Sequence, residues 1–140
     1  MRAKAYLMIA GAGFLLAAVA VDAHHAFSAE FDANKPVTLR GTITKVDWTN
    51  PHIWIHLEVK DPNGRVNEWQ IEGGAPNAMF RRGWNMESIK PGTEVSIDGF
   101  QAKNSRFRAN GKDVLLPDGR KLFVGSTGST GAPYDSKPKP

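Results

Sequence analysis

At 140 residues the chain has room for one domain with a buried core, and its composition, 41% hydrophobic and 23% charged, is that of an ordinary globular protein. A formal charge of +4, with Lys and Arg scattered along the sequence, lacks the dense basic stripe of a nucleic-acid binder, so nucleic acid is not expected among the partners. The absence of cysteine excludes disulfides, a lipoprotein attachment thiol and a thiol nucleophile.

Arg2 and Lys4 precede an uncharged run from Ala5 to Val21 that ends in Val21-Asp22-Ala23. A charged start, an apolar middle and a small-residue end make a secretory signal. The run is at the short limit for a membrane span and carries Gly11 and Gly13, so the reading is a cleaved leader over residues 1–23, with no stable membrane insertion afterwards. The product would be periplasmic or secreted. Residues 24–36 then form an N-terminal arm that begins His24-His25-Ala26-Phe27 and docks through Phe27 and Phe31, four apart.

From Val37 the pattern is that of strands. Val37, Leu39, Gly41 and Ile43 share one face, after which Val46 and Trp48 take the apolar role one residue out of phase, which requires a bulge near Thr44 and Lys45. The second strand follows Asn50-Pro51 and alternates: Ile53, Ile55, Leu57 and Val59 on one face, His52, Trp54, His56 and Glu58 on the other. Asp61-Pro62-Asn63-Gly64 is a hairpin turn. Pairing Asp61 with Arg65 sets Ile55 against Ile71, Leu57 against Trp69 and His56 against Gln70, so the third strand, Val66 to Glu72, meets apolar with apolar.

Pro76 and Gly83 bracket a helix of about two turns, with a further helical turn at Met86 to Ile89. Two more strands, Glu94 to Phe100 and about Phe107 to Leu116, lead through Pro117-Asp118-Gly119 to a last short strand, Lys121 to Val124. Three strands, a short helix, then two strands is the order of an OB-fold-like, five-stranded all-β barrel. The barrel domain spans 37–124. Residues 125–140, poor in apolar side chains, are a disordered tail by composition.

Several segments together resemble the bacterial family of small exported proteins catalogued as DUF6152. They are His24-His25-Ala26-Phe27 with Glu30-Phe31-Asp32, Gly41-Thr42-Ile43 leading to Trp48-Thr49-Asn50-Pro51-His52, Pro76-Asn77 with Arg82-Gly83-Trp84, Lys90-Pro91-Gly92, and Leu116-Pro117-Asp118-Gly119-Arg120. The resemblance implies an exported OB-like barrel and supplies no activity. Its recurring polar features fall here on His24, His25 and His52.

A chain cleaved before His24 presents an α-amine and an imidazole on one residue, with His25 beside it. Such nitrogen donors suit Cu(II), Ni(II) or Zn(II), and the affinity order favours copper. His52 and His56 share a strand face but are about 13 Å apart along a regular strand, so one ion takes only one of them. His52, at the flexible start of the strand, gives a candidate site of His24, His25 and His52, with Cu(II) as its ion. The ordinary role of such histidines is to cap a turn or bond a carbonyl.

The outer face of strands two and three offers a different reading, a contact surface for a sugar, a small ligand or an envelope protein. Its residues would be Trp54, His56 and Gln70, joined by Arg106 and Arg108 as anion contacts. No catalytic residues are assigned: no nucleophile elbow or phosphate loop stands out, Glu68 and Glu72 as paired acids read as solvated strand face, and the expected function is binding rather than catalysis.

Overall fold

The structure, a computed structural model, describes residues 27–125. The leader expected over residues 1–23, His24 and His25, and the tail from residue 126 onward lie outside the described residues. Among the described residues no helix is long and apolar enough to cross a membrane.

After a helical turn over residues 27–30 come β1 (Phe31–Asp47), β2 (Trp54–Lys60), β3 (Val66–Glu72), α1 (Pro76–Arg81), β4 (Glu94–Ala102), β5 (Arg108–Leu115) and β6 (Lys121–Phe123). β1 pairs antiparallel with both β2 and β4, β2 with β3, and β4 with β5. A parallel contact between β3 and β5 closes these five strands into a ring, and β6 adds to β5 outside it. This is the OB-like barrel, formed as the alternation dictates: Ile43, Ile55, Leu57, Ile71, Ile97 and Val114 point inward and are almost wholly buried. Each such side chain contributes about 1.5–3 kcal/mol by leaving water.

The register of β2 on β3 is Ile55 opposite Ile71, Leu57 opposite Trp69 and His56 opposite Gln70. The hairpin closes with the Asp61 N–H donating to the Arg65 carbonyl at 2.8 Å, while Asp61 Oδ1 accepts from the N–H groups of Asn63 and Arg65. In β1 the register slips between Ile43 and Lys45, the bulge that the change of phase demands. Gly41 lies where β1 crosses β2, and a Cβ there would fall 2.0 Å from the Glu58 carbonyl oxygen. Only glycine lets the two strands approach so closely.

The two ends of the barrel differ. At the end where β1 and β3 finish, α1 starts with Pro76 in its first turn and stops at Gly83, whose φ is +89°. Met79, Trp84 and Ile89 from this region join the core, and the Trp84 indole N–H donates to the Phe123 carbonyl at 3.0 Å. Residues 86–89 form a single hydrogen-bonded turn, capped by Asn85 Oδ1, which accepts from the Ser88 N–H at 2.9 Å, and Pro91 ends it. At the opposite end, between the β2–β3 turn and the β4–β5 loop, Val37, Val59 and Trp69 pack against the core but are only partly covered.

Two boundaries differ from the sequence reading. β1 begins at Phe31, not Val37, because Phe31 pairs with Ala102 and Phe27, Phe31 and Phe100 form a small apolar cluster outside the ring. Gly125, expected to open the tail, is buried: its N–H donates to the Lys112 carbonyl at 3.3 Å and its own carbonyl accepts from Arg82 Nη1 at 2.6 Å.

Candidate functional site

The outward-facing side chains of β2, β3 and the start of β5 form one surface: Trp54 and His56, Gln70 and Glu72, Arg108 and Asn110. Alternation alone would leave all of them in water. The N-terminal arm changes that, because Phe27 and Phe31 anchor it across this surface and Glu30 reaches Arg108, Nη2 to Oε2 at 2.9 Å. Arg108 is thereby held with its guanidinium carbon 4.9 Å from the centre of the Trp54 ring and 5.7 Å from that of Phe31. Trp54 is accordingly half-buried beneath a cation of its own chain.

Beside this clamp lies a pocket of about 240 Å³ lined by Phe27, Glu30, Phe31 and Pro51 and by the polar groups of His52, Glu72 and Asn110. His52 stands at the start of β2, placed by the Asn50–Pro51 turn, whose peptide bond is cis, and by the Ile53 N–H bond to Gly74 O at 3.0 Å. Its Nδ1 contacts Glu72 Oε1 closely. Glu72 is only 8% exposed, and burial pushes its carboxyl above the usual carboxylate range; Glu30 nearby adds to that, while His52, Arg108 and a hydrogen bond from Asn110 pull the other way. Asn110 is 2% exposed and its Oδ1 has no hydrogen-bond partner. An unpaired buried amide oxygen costs about 1–3 kcal/mol and is rare in a folded chain.

His56 is occupied differently. Its Nδ1 lies 3.1 Å from Glu68 Oε1 and its Nε2 3.0 Å from Asp47 Oδ2, so both contacts are hydrogen bonds together only when the ring carries both protons. Asp47 also meets Lys45 at 2.8 Å, and its carboxyl is held below the usual range chiefly by that hydrogen bond and also by His56.

The structure thus separates the residues singled out from the sequence. His52 lines the arm-covered pocket; Trp54 and Arg108 form the clamp next to it; His56 belongs to a carboxylate cluster; Gln70 is exposed on β3; and Arg106 lies on the loop at the open end of the barrel. Asn110 was not singled out, and Glu72 was read with Glu68 as solvated strand face; the arm that carries Phe27 and Phe31 is what covers them. Among the described residues no group of three or more His, Cys, Asp or Glu side chains is arranged to hold a metal ion.

Fold and site together define a small OB-like barrel with a polar pocket under an N-terminal arm. The chain belongs to DUF6152, a family of unknown function, whose profile matches residues 13–111 and so takes in His24, His25 and the pocket. No curated protein matches the chain. Among solved structures it is similar to Rim1, the mitochondrial single-stranded DNA binding protein of S. cerevisiae. One crystal form is 14% identical and has a TM-score of 0.47, with 59% of this chain and 93% of that chain covered. Another is 18% identical at a TM-score of 0.45, covering 66% and 98%. The expectation that nucleic acid is not a partner is withdrawn, since these similar structures are of a single-stranded DNA binding protein.

Proposed function

We propose that the protein is an exported, non-catalytic binding barrel that holds a transition-metal ion, with copper as the leading candidate, at the mouth of the arm-covered pocket. One observation carries the reading: the imidazole of His52 lies against a buried carboxylate, Glu72, and both line one small pocket together with Asn110. With Glu72 ionised, Nδ1 of His52 carries the proton and donates it, which leaves Nε2 as a free ligand nitrogen. Metal-binding histidines are typically oriented by such a carboxylate. A cation nearby also relieves a carboxylate that burial and Glu30 both disfavour.

The remaining ligands would come from the chain's own start. At about 3.6 Å per residue, His25 and His24 can lie no further than about 7 and 11 Å of chain from Phe27, which is itself part of the pocket wall. Cleavage of the leader would add the α-amine of His24. An amine with three imidazoles favours Cu(II) over the other divalent ions.

The test is a Cu(II) titration of the exported protein. One tight ion per chain is expected, with affinity lost in His52→Ala and reduced about 10- to 100-fold in Glu72→Gln. A residue added before His24 should weaken it as well. Equal, weak binding by the wild type and His52→Ala would reject the metal reading.

A further inference from the structure

We propose that the open end of the barrel is a second, separate binding site, for a small organic anion with a flat apolar or aromatic body. A pocket of about 700 Å³ lies between the β2–β3 turn and the β4–β5 loop. That is within the roughly 300–1,000 Å³ of small-molecule sites. Its floor is the part of the core that α1 does not reach, Val37, Leu39 and Val59 with Trp69.

Aromatic and charged groups are set around this floor in an order that fits one ligand class. Phe107 stands edge-on to Trp69, ring centres 5.6 Å apart at 77°, and remains 36% exposed, so the pair offers a ring surface to the pocket. Lys60, Arg65 and Arg106 ring the mouth. Among the described residues none of the three is paired with a carboxylate, so their charge is not spent within the fold. The acid on the lining, Asp61, spends Oδ1 on the N–H groups of Asn63 and Arg65, each at 2.9 Å, which fixes it in the hairpin turn.

The loop that carries Arg106 and Phe107 is anchored rather than loose. Gln101 Nε2 donates to the Arg106 carbonyl at 3.0 Å, and the Gln70 N–H donates to the Phe107 carbonyl at 3.0 Å. The Arg106 guanidinium carbon lies 5.6 Å from the Phe107 ring centre. A ligand whose ring lies on Trp69 and Phe107 therefore meets a positive charge at the rim, with little ordering left to do on binding. The aromatic platform is a single pair inside a cup, which suits one ring system.

The test uses the full chain and two probes with similar aromatic bodies, 1-anilinonaphthalene-8-sulfonate and the uncharged N-phenyl-1-naphthylamine, followed by fluorescence. The sulfonate should bind once per chain and at least about tenfold more tightly than the neutral probe, the strength of a charge-assisted contact. Arg106→Gln combined with Arg65→Gln should remove that preference, and Phe107→Ala should weaken both probes. Glu72→Gln, in the other pocket, should leave both unchanged, with circular dichroism confirming that every variant is folded. Equal binding of the two probes, no effect of the arginine changes in folded protein, or tighter binding and displacement by an oligothymidylate would overturn the proposal.

Discussion

The two ends of this barrel are made of opposite materials, and the contrast explains where stability ends and binding begins. At one end, α1 and the turn after it drive Met79, Trp84 and Ile89 into the core, and all three are at most 2% exposed. At the other, no element after β2 or β4 is long enough to cover the core, so Trp69 and Phe107 stay partly in water beside Arg65 and Arg106. A sealed end contributes free energy of folding. An end left open retains apolar and charged surface that a ligand can use, so residues there should matter little to folding.

The comparison is broken most easily at the sealed end. Trp84→Ala removes a buried indole and its hydrogen bond to Phe123, and should cost about 3–5 kcal/mol in a urea unfolding curve. Gly41→Ala acts on the strand that runs between the two ends. The new Cβ would meet the Glu58 carbonyl at 2.0 Å, which β1 and β2 can relieve only by parting, for about 3 kcal/mol. At the open end Phe107→Ala should cost only about 1 kcal/mol, the worth of an exposed edge-on pair. A loss there equal to that of Trp84→Ala would show that the two ends are not functionally distinct.

The smallest effect concerns pH. Because Asp47 is held below its usual value of 3.8, its ionised form stabilises the fold above that pH, and the contribution fades as pH falls through the lowered value. Asp47→Asn should therefore lower the melting temperature slightly at pH 6 and make no difference once Asp47 is protonated, well below pH 3.8. A gap that persists in strong acid would assign the loss to packing instead.

Much of the barrel was legible in the residues themselves. Strict alternation in β2 and the Asp61-Pro62-Asn63-Gly64 turn leave one register in which apolar meets apolar, and the change of phase after Ile43 has no solution other than a bulge. The site was harder to read. Residues 32–36 show no alternation, and they become strand only because Phe31 and Pro36 pair with β4. Glu72 and Asn110 occupy outward positions, and nothing within β3 or β5 says that an arm from the other end of the chain will cover them. Arg108 reads as a free cation until Glu30, 78 positions away, takes it. Local pattern fixes which way a side chain points, while long-range docking decides whether it ends in water.

The parallel contact between β3 and β5 is the shortest ladder in the ring, three residue pairs from Gln70 opposite Arg108 to Glu72 opposite Asn110. If the cylinder unzips, it does so along this slit, and the polar pocket sits at its lip. A metal ion held there as proposed would rest on His52, which leans on Glu72, the last rung of this ladder. Amide hydrogen exchange at Ile71 and Ala109 should slow on loading, while exchange on the far seam between β1 and β4 keeps its pace.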